Sequence, residues 1–314
     1  MFNGTIRTID SMGFVGDFTS LALTAASLPV ISYHDVTNDD LKLAVCADAT
    51  CSAGTTIRTI DSTGSVGSYT SLALTTAGFP VISYYDGTNS NLKLAICADA
   101  TCLSGSTIRT IDSTGTVGEH SSLALTTAGF PVISYFDVTN QDLKLAVCAD
   151  ATCSSGTTIR TIDSTGSVGG YTSLALTIAG SPVISYYDGT NRDLKLAVCA
   201  DTTCSSGTTI RAIDSTADVG WYTSLALTTA GIPVMSYFDN ANGNLKLAVC
   251  ADATCSSDTI IRTFDSTGVV GQFTSLALTA AGFPVISYHD GTRLNLELAV
   301  CADATCSSGT TIRT

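Results

Sequence analysis

The chain has 314 residues, of which 45% are apolar and 13% charged, and its formal net charge is −13. This composition is typical of a folded protein with a large core, and no apolar run approaches the roughly 20 residues that a membrane helix needs. We therefore expect no membrane insertion, and because acidic side chains repel phosphates we expect no nucleic-acid partner. Residues 1–10 lack the pattern of a secretion signal, so any such signal has been removed or lies outside this sequence.

An internal repeat of 51 residues accounts for nearly the whole sequence. The segment PVISYYDGTNSNLKLAICADATC begins at Pro80 and recurs, with small changes, from Pro29, Pro131, Pro182, Pro233 and Pro284. A fixed period in this range indicates a solenoid, a propeller or an array, because one unit cannot bury its apolar faces alone. We therefore expect residues 1–314 to form a single domain of six units.

Each unit contains four short strands in the predicted order. In the second unit these are Thr70–Thr75, Pro80–Asp86, Leu92–Cys97 and Thr107–Asp112, which are rich in β-branched and aromatic residues and separated by turn sequences. Four antiparallel strands in 51 residues are typical of a propeller blade. The sequence therefore predicts an all-β, six-bladed β-propeller of near-identical four-stranded blades. The uncharged first strand is expected innermost and the fourth strand, which carries arginine, outermost.

The cysteines follow the same period, with one C-x4-C pair in every unit. The six pairs are Cys46 and Cys51, Cys97 and Cys102, Cys148 and Cys153, Cys199 and Cys204, Cys250 and Cys255, and Cys301 and Cys306. Four intervening residues suit a hairpin loop whose ends lie at disulfide distance. Zinc ligation and free buried thiols are the alternatives, although no histidine lies within such a loop. Disulfides favour an extracellular or cell-surface location.

The repeated motifs PVISYYDGTN and DLKLAVCADATC resemble a family of repeat arrays of the ISYYD…NxDLKLA type, found in secreted or surface proteins of bacteria and archaea. The resemblance covers the whole chain. It implies a β-propeller fold and an extracellular setting, and it supplies no catalytic residue to transfer onto this sequence.

The outer-strand motif TIRT, counted with its variants TIRA and IIRT, occurs seven times, once more than six blades require. Either Gly4–Asp10 completes the last blade as an N-terminal clasp, or Thr310–Thr314 completes it in sequence, and we favour the clasp. The unused strand then frays, continues into further repeats, or pairs with a neighbouring molecule, so self-association is an open possibility.

Turn positions that differ between units indicate a binding face, since loops on a rigid scaffold commonly carry function. The turn between blades and the turn between the second and third strands should emerge at the same end. Trp221 beside Tyr222 is suited to stack on a sugar or anchor a protein partner. The predicted ligand-binding residues are Asp17, Ser68, Glu119, His120, Arg192, Trp221, Tyr222 and Gln272. Alternatively, exposed turns merely tolerate substitution, and the aromatic residues pack between blades.

Aspartates that close the second strand of each unit are weak candidates for a calcium site. They are Asp35, Asp86, Asp137, Asp188, Asp239 and Asp290. Each is followed by turn residues that offer oxygen ligands, but the spacing lacks the dense pattern of a calcium loop. The structural alternative is that each carboxylate accepts hydrogen bonds from its own turn amides. We expect no other cofactor.

Enzymatic chemistry has little support in the sequence. Glu119 and Glu297 are the only glutamates, and the three histidines lie in different repeats. The aspartates recur in all six repeats, whereas a catalytic site needs an asymmetric set of side chains. We predict a non-catalytic binding module that recognises carbohydrate or a surface protein. The alternatives are an assembly unit of a fibre or longer array, a symmetric and even designed scaffold without a ligand, and, least favoured, a glycosidase-like propeller enzyme.

Overall fold

The computed structural model describes residues 6–314, which form 24 β-strands in six four-stranded antiparallel sheets. The prediction of an all-β, six-bladed β-propeller is confirmed. The chain separates into two compact bodies, each larger than one repeat, which are called unit 1 and unit 2 from here on. Unit 1 comprises the residues up to Thr139 together with Ala146–Ile159, and unit 2 comprises Asn140–Leu145 and Arg160–Thr314. No helix within residues 6–314 is long and apolar enough to span a membrane.

Each blade is a meander in which consecutive strands are neighbours. Blade 1 consists of β1 Val15–Leu23, β2 Pro29–Asp35, β3 Asp40–Val45 and β4 Thr56–Asp61. Blade 2 consists of β5 Val66–Leu74, β6 Pro80–Asp86, β7 Asn91–Cys97 and β8 Ser106–Asp112. Blade 3 consists of β9 Val117–Leu125, β10 Pro131–Asp137, β11 Asp142–Cys148 and β12 Thr157–Asp163.

The remaining blades repeat this arrangement. Blade 4 consists of β13 Val168–Leu176, β14 Pro182–Asp188, β15 Asp193–Val198 and β16 Thr209–Asp214. Blade 5 consists of β17 Val219–Leu227, β18 Pro233–Asp239, β19 Asn244–Val249 and β20 Ile260–Asp265. Blade 6 consists of β21 Val270–Leu278, β22 Pro284–Asp290, β23 Asn295–Val300 and β24 Thr311–Arg313.

The second and third strands form the core of each blade. In blade 2 the side chains of Ile82, Tyr84, Leu92 and Leu94 are fully buried. Both faces of β6 are buried because the sheet is covered on each side by a neighbouring blade. Within each unit the first strands of adjacent blades contact one another, while the fourth strand pairs at the opposite sheet edge. This order agrees with the expected inner and outer positions.

The first strand starts earlier than predicted, because a β-bulge extends the pairing into the segment interpreted as a turn. In blade 2, β5 begins at Val66 instead of Thr70, and its register with β6 shifts around Ser68. Gly67 and Tyr69 take positive φ angles of 103° and 53° at the bulge. Placing Ser68 and its equivalents in the turn between blades is therefore wrong, since they lie in the first strand.

All six predicted disulfides are present. The Cα atoms of each pair are 4.9 to 5.0 Å apart, in the loop that joins the third and fourth strands. An aspartate inside each loop adds a second restraint. In blade 1 the Asp48 carboxylate accepts hydrogen bonds from the backbone amides of Thr50, Ser52 and Ala53 at 2.8 to 3.1 Å. The hydrogen bond from Thr50 Oγ1, at 2.7 Å, and these amide bonds hold the pKa of Asp48 below its usual range.

The C-terminal strand completes the last blade, so the favoured N-terminal clasp is wrong. β24 pairs with β23 through Ala299 and Ile312. Gly4 and Thr5 lie outside the described residues, and residues 6–10 form no strand. Asp10 instead accepts a hydrogen bond from Tyr33 Oη at 2.7 Å and thereby binds blade 1.

Candidate functional site

Within each unit, the bulge of a first strand places an aromatic ring against the equivalent ring of a neighbouring blade. Ring centroids of consecutive residues lie 4.3 to 4.6 Å apart within each unit, for Phe18 with Tyr69, Tyr69 with His120, Tyr171 with Tyr222, and Tyr222 with Phe273. Tilted rings at this distance pack favourably. The aromatic row therefore contributes to packing between blades, and its individual members do not by themselves mark a ligand site.

Trp221 breaks this regularity within unit 2, where blades 4 and 5 meet. It precedes Tyr222 at the bulge of β17, and its ring stacks on Tyr171 of β13 with 5.4 Å between centroids and 29° between planes. The ring of Tyr187, from β14, lies 5.6 Å from Trp221. All three aromatic side chains are partly exposed. Two neighbouring blades thus build one aromatic platform that solvent can reach.

Asp218 organises the polar side of this platform. It lies in the turn before β17, and its Oδ1 accepts hydrogen bonds from Tyr187 Oη at 2.7 Å and Trp221 Nε1 at 3.0 Å. Its Oδ2 accepts a third bond from Asn240 Nδ2 at 2.8 Å. Burial raises the pKa of Asp218, but these three bonds and the charge of Arg192 outweigh it and lower the pKa overall.

The same contacts act on Tyr187. Burial and the hydrogen bond to Asp218 raise the pKa of Tyr187 to about 12. At neutral pH the site therefore contains an ionised carboxylate and a neutral phenol that donates to it. This charge state orients Tyr187 and Trp221 without any bound ligand, so the platform is preorganised.

Arg192 adds a cation at the edge of the platform. It occupies the exposed turn between β14 and β15 with a φ of 65°, and its carbonyl oxygen accepts a hydrogen bond from Val219 N at 3.0 Å. The backbone of one blade is thereby attached to the first strand of the next. We refer to Tyr171, Tyr187, Arg192, Asp218, Trp221 and Asn240 together as the Trp221 site.

Equivalent positions at other blade boundaries carry different chemistry. Where blades 1 and 2 meet, Ser65 and Ser68 take the places of Asp218 and Trp221. Where blades 5 and 6 meet, Val269 and Gln272 take them. A carboxylate at the Asp218 position occurs in one repeat of the sequence. The Trp221 site is therefore an asymmetric feature on a nearly symmetric scaffold.

The structure brings three of the predicted ligand-binding residues together: Arg192, Trp221 and Tyr222 all lie at this boundary. The others occupy equivalent positions elsewhere, with Asp17, Ser68, Glu119 and His120 in unit 1 and Gln272 in blade 6. Burial raises the pKa of Glu119 and lowers that of His120 to about 4.

Sequence reasoning missed Tyr187 and Asn240 and did not connect Asp218 with Trp221. A signal was present, because the fifth repeat departs from the others at three places at once. It reads TADVGWY where the second repeat reads TGSVGSY, and DNANGN where the second and fourth repeats read DGTNSN and DGTNRD. Coordinated departures in one repeat indicate residues that contact one another.

The repeated calcium candidates bind the protein's own cations. In blade 2, Lys93 Nζ lies 3.1 Å from both Asp86 Oδ2 and Asp61 Oδ2, and Tyr84 Oη donates to Asp61 at 2.6 Å. Asn89 N and Nδ2 donate to the Asp86 carboxylate at 3.0 Å. The equivalent lysine forms an ion pair with the equivalent aspartate in blades 1, 4 and 5. The D-x-x-N pattern thus has a structural role, and residues 6–314 contain no cluster of three or more metal-ligating side chains.

Blade 6 replaces this arrangement with a different ion pair. The lysine position is occupied by Glu297, and the asparagine position by Arg293, whose Nη1 lies 2.9 Å from Asp290 Oδ2 and 3.6 Å from Glu297 Oε1. The arginine thus restores a cation beside Asp290, although the two exchanges together leave blade 6 one unit of charge more negative here than the other blades. Asp290 therefore also pairs with a cation of the chain.

No protein-family model and no curated protein matches the chain. Several solved structures share its fold. The SapL1 lectin, in complex with alpha methyl fucoside, is 13% identical with a TM-score of 0.59, covering 95% of this chain and 96% of that chain. An alpha-L-arabinofuranosidase from Fusarium graminearum, in complex with an iminosugar inhibitor, is 11% identical with a TM-score of 0.60, covering 91% and 92%.

A Hadza microbial sialidase is 12% identical with a TM-score of 0.57, and the match covers 88% of this chain and 63% of that chain. Lectins and enzymes thus occur among the structural neighbours. Identities this low establish a common fold and leave the activity to be argued from the side chains.

Proposed function

We propose that the protein is a non-catalytic carbohydrate-binding propeller and that the sugar binds at the Trp221 site. The observation that carries the proposal is the partly exposed platform of Trp221, Tyr171 and Tyr187 beside the polar groups of Asp218, Asn240 and Arg192. Aromatic faces with a few oriented polar groups are the usual composition of a small-ligand site. The lectin among the structural neighbours is compatible with this use of the fold.

Each side chain of the Trp221 site would contact a different part of the bound sugar. The apolar face of a sugar ring stacks on the indole of Trp221, which is held in place by its bond to Asp218. Hydroxyl groups at the ring edge reach the outer lone pairs of the Asp218 carboxylate, the Asn240 amide and the Arg192 guanidinium. Because hydrogen bonds hold Trp221, Asp218 and Asn240 before binding, these three residues lose little side-chain entropy on association.

The proposed absence of catalysis rests on the carboxylates. Glycoside hydrolysis ordinarily uses two carboxyl groups, one of which must be protonated to act as an acid. The Trp221 site, as defined, contains one carboxylate, and the hydrogen bonds to Asp218 lower its pKa and keep it ionised. Such a group suits hydroxyl recognition better than proton donation.

A secreted or cell-surface location is part of the same proposal. Six disulfides persist in an oxidising compartment and are rare where thiols are kept reduced. A glycan-binding protein in that setting meets the carbohydrates of cell surfaces and extracellular polymers.

A glycan-array screen of residues 1–314, in calcium and in chelator, tests the proposal. We expect selective binding to a small set of glycans, and a loss of at least tenfold in affinity for Trp221→Ala, since buried or stacked aromatic anchors typically contribute about 2 kcal/mol or more. Gln272→Ala is the matched control, because it changes the equivalent position one blade further on. The proposal would be refuted if the wild-type protein bound no glycan in either condition, or if the two variants bound glycans with equal affinity.

A further inference from the structure

The boundary between blades 2 and 3, which lies within unit 1, repeats the aromatic arrangement of the Trp221 site. Tyr69 of β5 and Tyr85 of β6 have ring centroids 6.4 Å apart, and their equivalents Tyr171 and Tyr187 have centroids 6.3 Å apart. All four side chains are partly exposed. The two boundaries therefore present similar aromatic surfaces to solvent.

Glu119 occupies in β9 the position that Trp221 occupies in β17. Each residue immediately precedes the aromatic residue of the bulge and pairs with a phenylalanine of the second strand. The indole of Trp221 lies 5.4 and 5.6 Å from the two tyrosine rings of the preceding blade. The equivalence of the two boundaries therefore places the Glu119 carboxylate next to the rings of Tyr69 and Tyr85.

Glu119 has no polar partner, unlike its equivalents in unit 2. Trp221 Nε1 donates to Asp218 at 3.0 Å, and Gln272 Oε1 lies 3.3 Å from His289 Nδ1. The corresponding neighbours of Glu119 are a threonine and a phenylalanine. Among residues 6–314, none donates a hydrogen bond to the Glu119 side chain or forms an ion pair with it. The polar requirement of this carboxylate is therefore left to solvent or a ligand.

Burial acts on this carboxylate without compensation. Glu119 is half-buried, and the loss of water raises its pKa. The adjacent imidazole supplies no positive charge, because burial lowers the pKa of His120 to about 4 and leaves the ring neutral at pH 7. That ring instead packs on Tyr69, with 4.5 Å between centroids. A cation beside Glu119 would restore the stabilisation that its charge has lost with water.

The surroundings of Glu119 favour an organic cation over a metal ion. Calcium takes about six to eight oxygen ligands, and residues 6–314 contain no group of three or more metal-ligating side chains. An organic ammonium ion needs only one carboxylate, and it is attracted to the faces of aromatic rings as well. The formal net charge of −13 also attracts cations to the chain.

We propose that the boundary between blades 2 and 3 binds an organic ammonium ion, which pairs with the Glu119 carboxylate and packs on the rings of Tyr69 and Tyr85. These three residues are called the Glu119 site. The site is separate from the Trp221 site, whose carboxylate already accepts three hydrogen bonds and is influenced by the charge of an arginine. Binding of the cation therefore does not depend on glycan binding.

Choline and its neutral isostere, in which a quaternary carbon replaces the nitrogen, test the requirement for charge. Each is titrated into the full-length protein at pH 7, and binding is followed by the NMR chemical shifts of the ligand methyl groups. We expect choline to bind, and the neutral alcohol to bind roughly fivefold more weakly or less, because ion pairing and the attraction to ring faces both need the positive charge. Equal affinities, or no binding of choline, would overturn the proposal.

Two variants that each remove one negative charge test the role of Glu119. Glu119→Gln keeps the shape of the side chain and should weaken choline binding by roughly fivefold or more. Asp258→Asn removes the same charge at an exposed position in blade 5 and should leave the affinity unchanged. Because Glu119 has no partner to lose, its variant should keep the thermal midpoint of the wild type. Equal weakening by both variants would reveal nonspecific attraction and refute the site.

Two aromatic variants locate the bound cation. Tyr85→Leu should weaken choline binding, whereas Trp221→Ala, which disrupts the other aromatic surface, should leave it unchanged. The proposal is overturned if Trp221→Ala weakens choline binding and Glu119→Gln does not, because the ion then binds at the Trp221 site.

Butylammonium and glucosamine, titrated in parallel, distinguish the source of the ammonium group. Tighter binding of butylammonium assigns it to a free amine, and tighter binding of glucosamine assigns it to an amino sugar. Either result supports the Glu119 site if Glu119→Gln weakens binding of the preferred ligand, and unchanged affinity in that variant contradicts it.

Discussion

Asp163 shows how one buried carboxylate connects strands of a blade to its neighbour. It accepts hydrogen bonds from Tyr186 Oη and Lys195 Nζ, both at 2.6 Å, and from Thr165 N at 3.0 Å. Burial raises the pKa of Asp163, but these donors and Thr165 Oγ1 outweigh it and lower the pKa from 3.8 to about 2. The fixed donors compensate the charge for the water it has lost.

This lowered pKa predicts a specific acid sensitivity. A carboxylate whose pKa is lower in the folded state contributes stability that is fully present above its unfolded pKa and lost as the pH falls through its folded pKa. We therefore expect the thermal midpoint to fall between about pH 4 and pH 2, the interval set by the two values for Asp163. Asp163→Asn should be less stable at pH 7 and show a shallower fall in this interval, measured by circular dichroism. Exposed Asp258→Asn is the control, and parallel curves for Asp163→Asn and wild type would contradict the assignment.

At the scale of the element, the first strand is where the sequence was least informative. The strands beginning at Pro80 and Leu92 were located to within one residue, because alternating β-branched and aromatic residues between turn sequences leave few choices. β5 was placed four residues late, since Val66 and Gly67 resemble turn residues. The bulge depends on a partner strand and a neighbouring blade, and neither is visible in a local pattern.

The glycine of the first strand offers a matched pair of variants. Gly67 and Gly16 have similar φ angles, 103° and 99°, so alanine strains the backbone equally at both. At Gly67 the new Cβ would also meet Leu41, whereas at Gly16 it meets open space. We expect Gly67→Ala to lower the free energy of unfolding by roughly 1–3 kcal/mol more than Gly16→Ala, the usual cost of overpacking. Urea unfolding at low protein concentration measures this, and equal losses would show that blade contact does not constrain the glycine.

The Trp221 site illustrates the same limit for function. The lone tryptophan and the divergent turns could be read from the sequence, and they predicted that Trp221 and Arg192 lie at the same end of blades 4 and 5, where the structure places both. Tyr187 belongs to a strand motif found in every repeat, so its role was hidden. That role depends on a hydrogen bond to Asp218, 31 residues away on the next blade.

At the scale of the whole molecule, the period of 51 residues predicted six blades correctly, because each repeat must bury both faces of its sheet against neighbouring repeats. The same repetition made the ends ambiguous, since TIRT occurs at both termini and either copy fits the last blade. Asp10 resolves the choice physically. Its bonds to Tyr33 and Lys42 hold the N-terminal segment on blade 1, while β24 continues the chain of blade 6.

Six small covalent rings should contribute to the stability of the whole. A ring of this size stabilises a folded protein by about 2 kcal/mol in the chain-entropy account, so six independent rings would together approach the typical stability of a domain. The hydrogen bonds accepted by Asp48 and its equivalents restrain the same loops, so we expect the native fold to persist after the disulfides are reduced. We expect no reactive thiol in the denatured, unreduced protein and, after reduction, twelve thiols and a thermal midpoint lower by roughly 10–20 °C. Thiol titration and calorimetry measure both. Twelve thiols before reduction would refute the disulfides, and an unchanged midpoint would show that the carboxylate caps alone hold the loops.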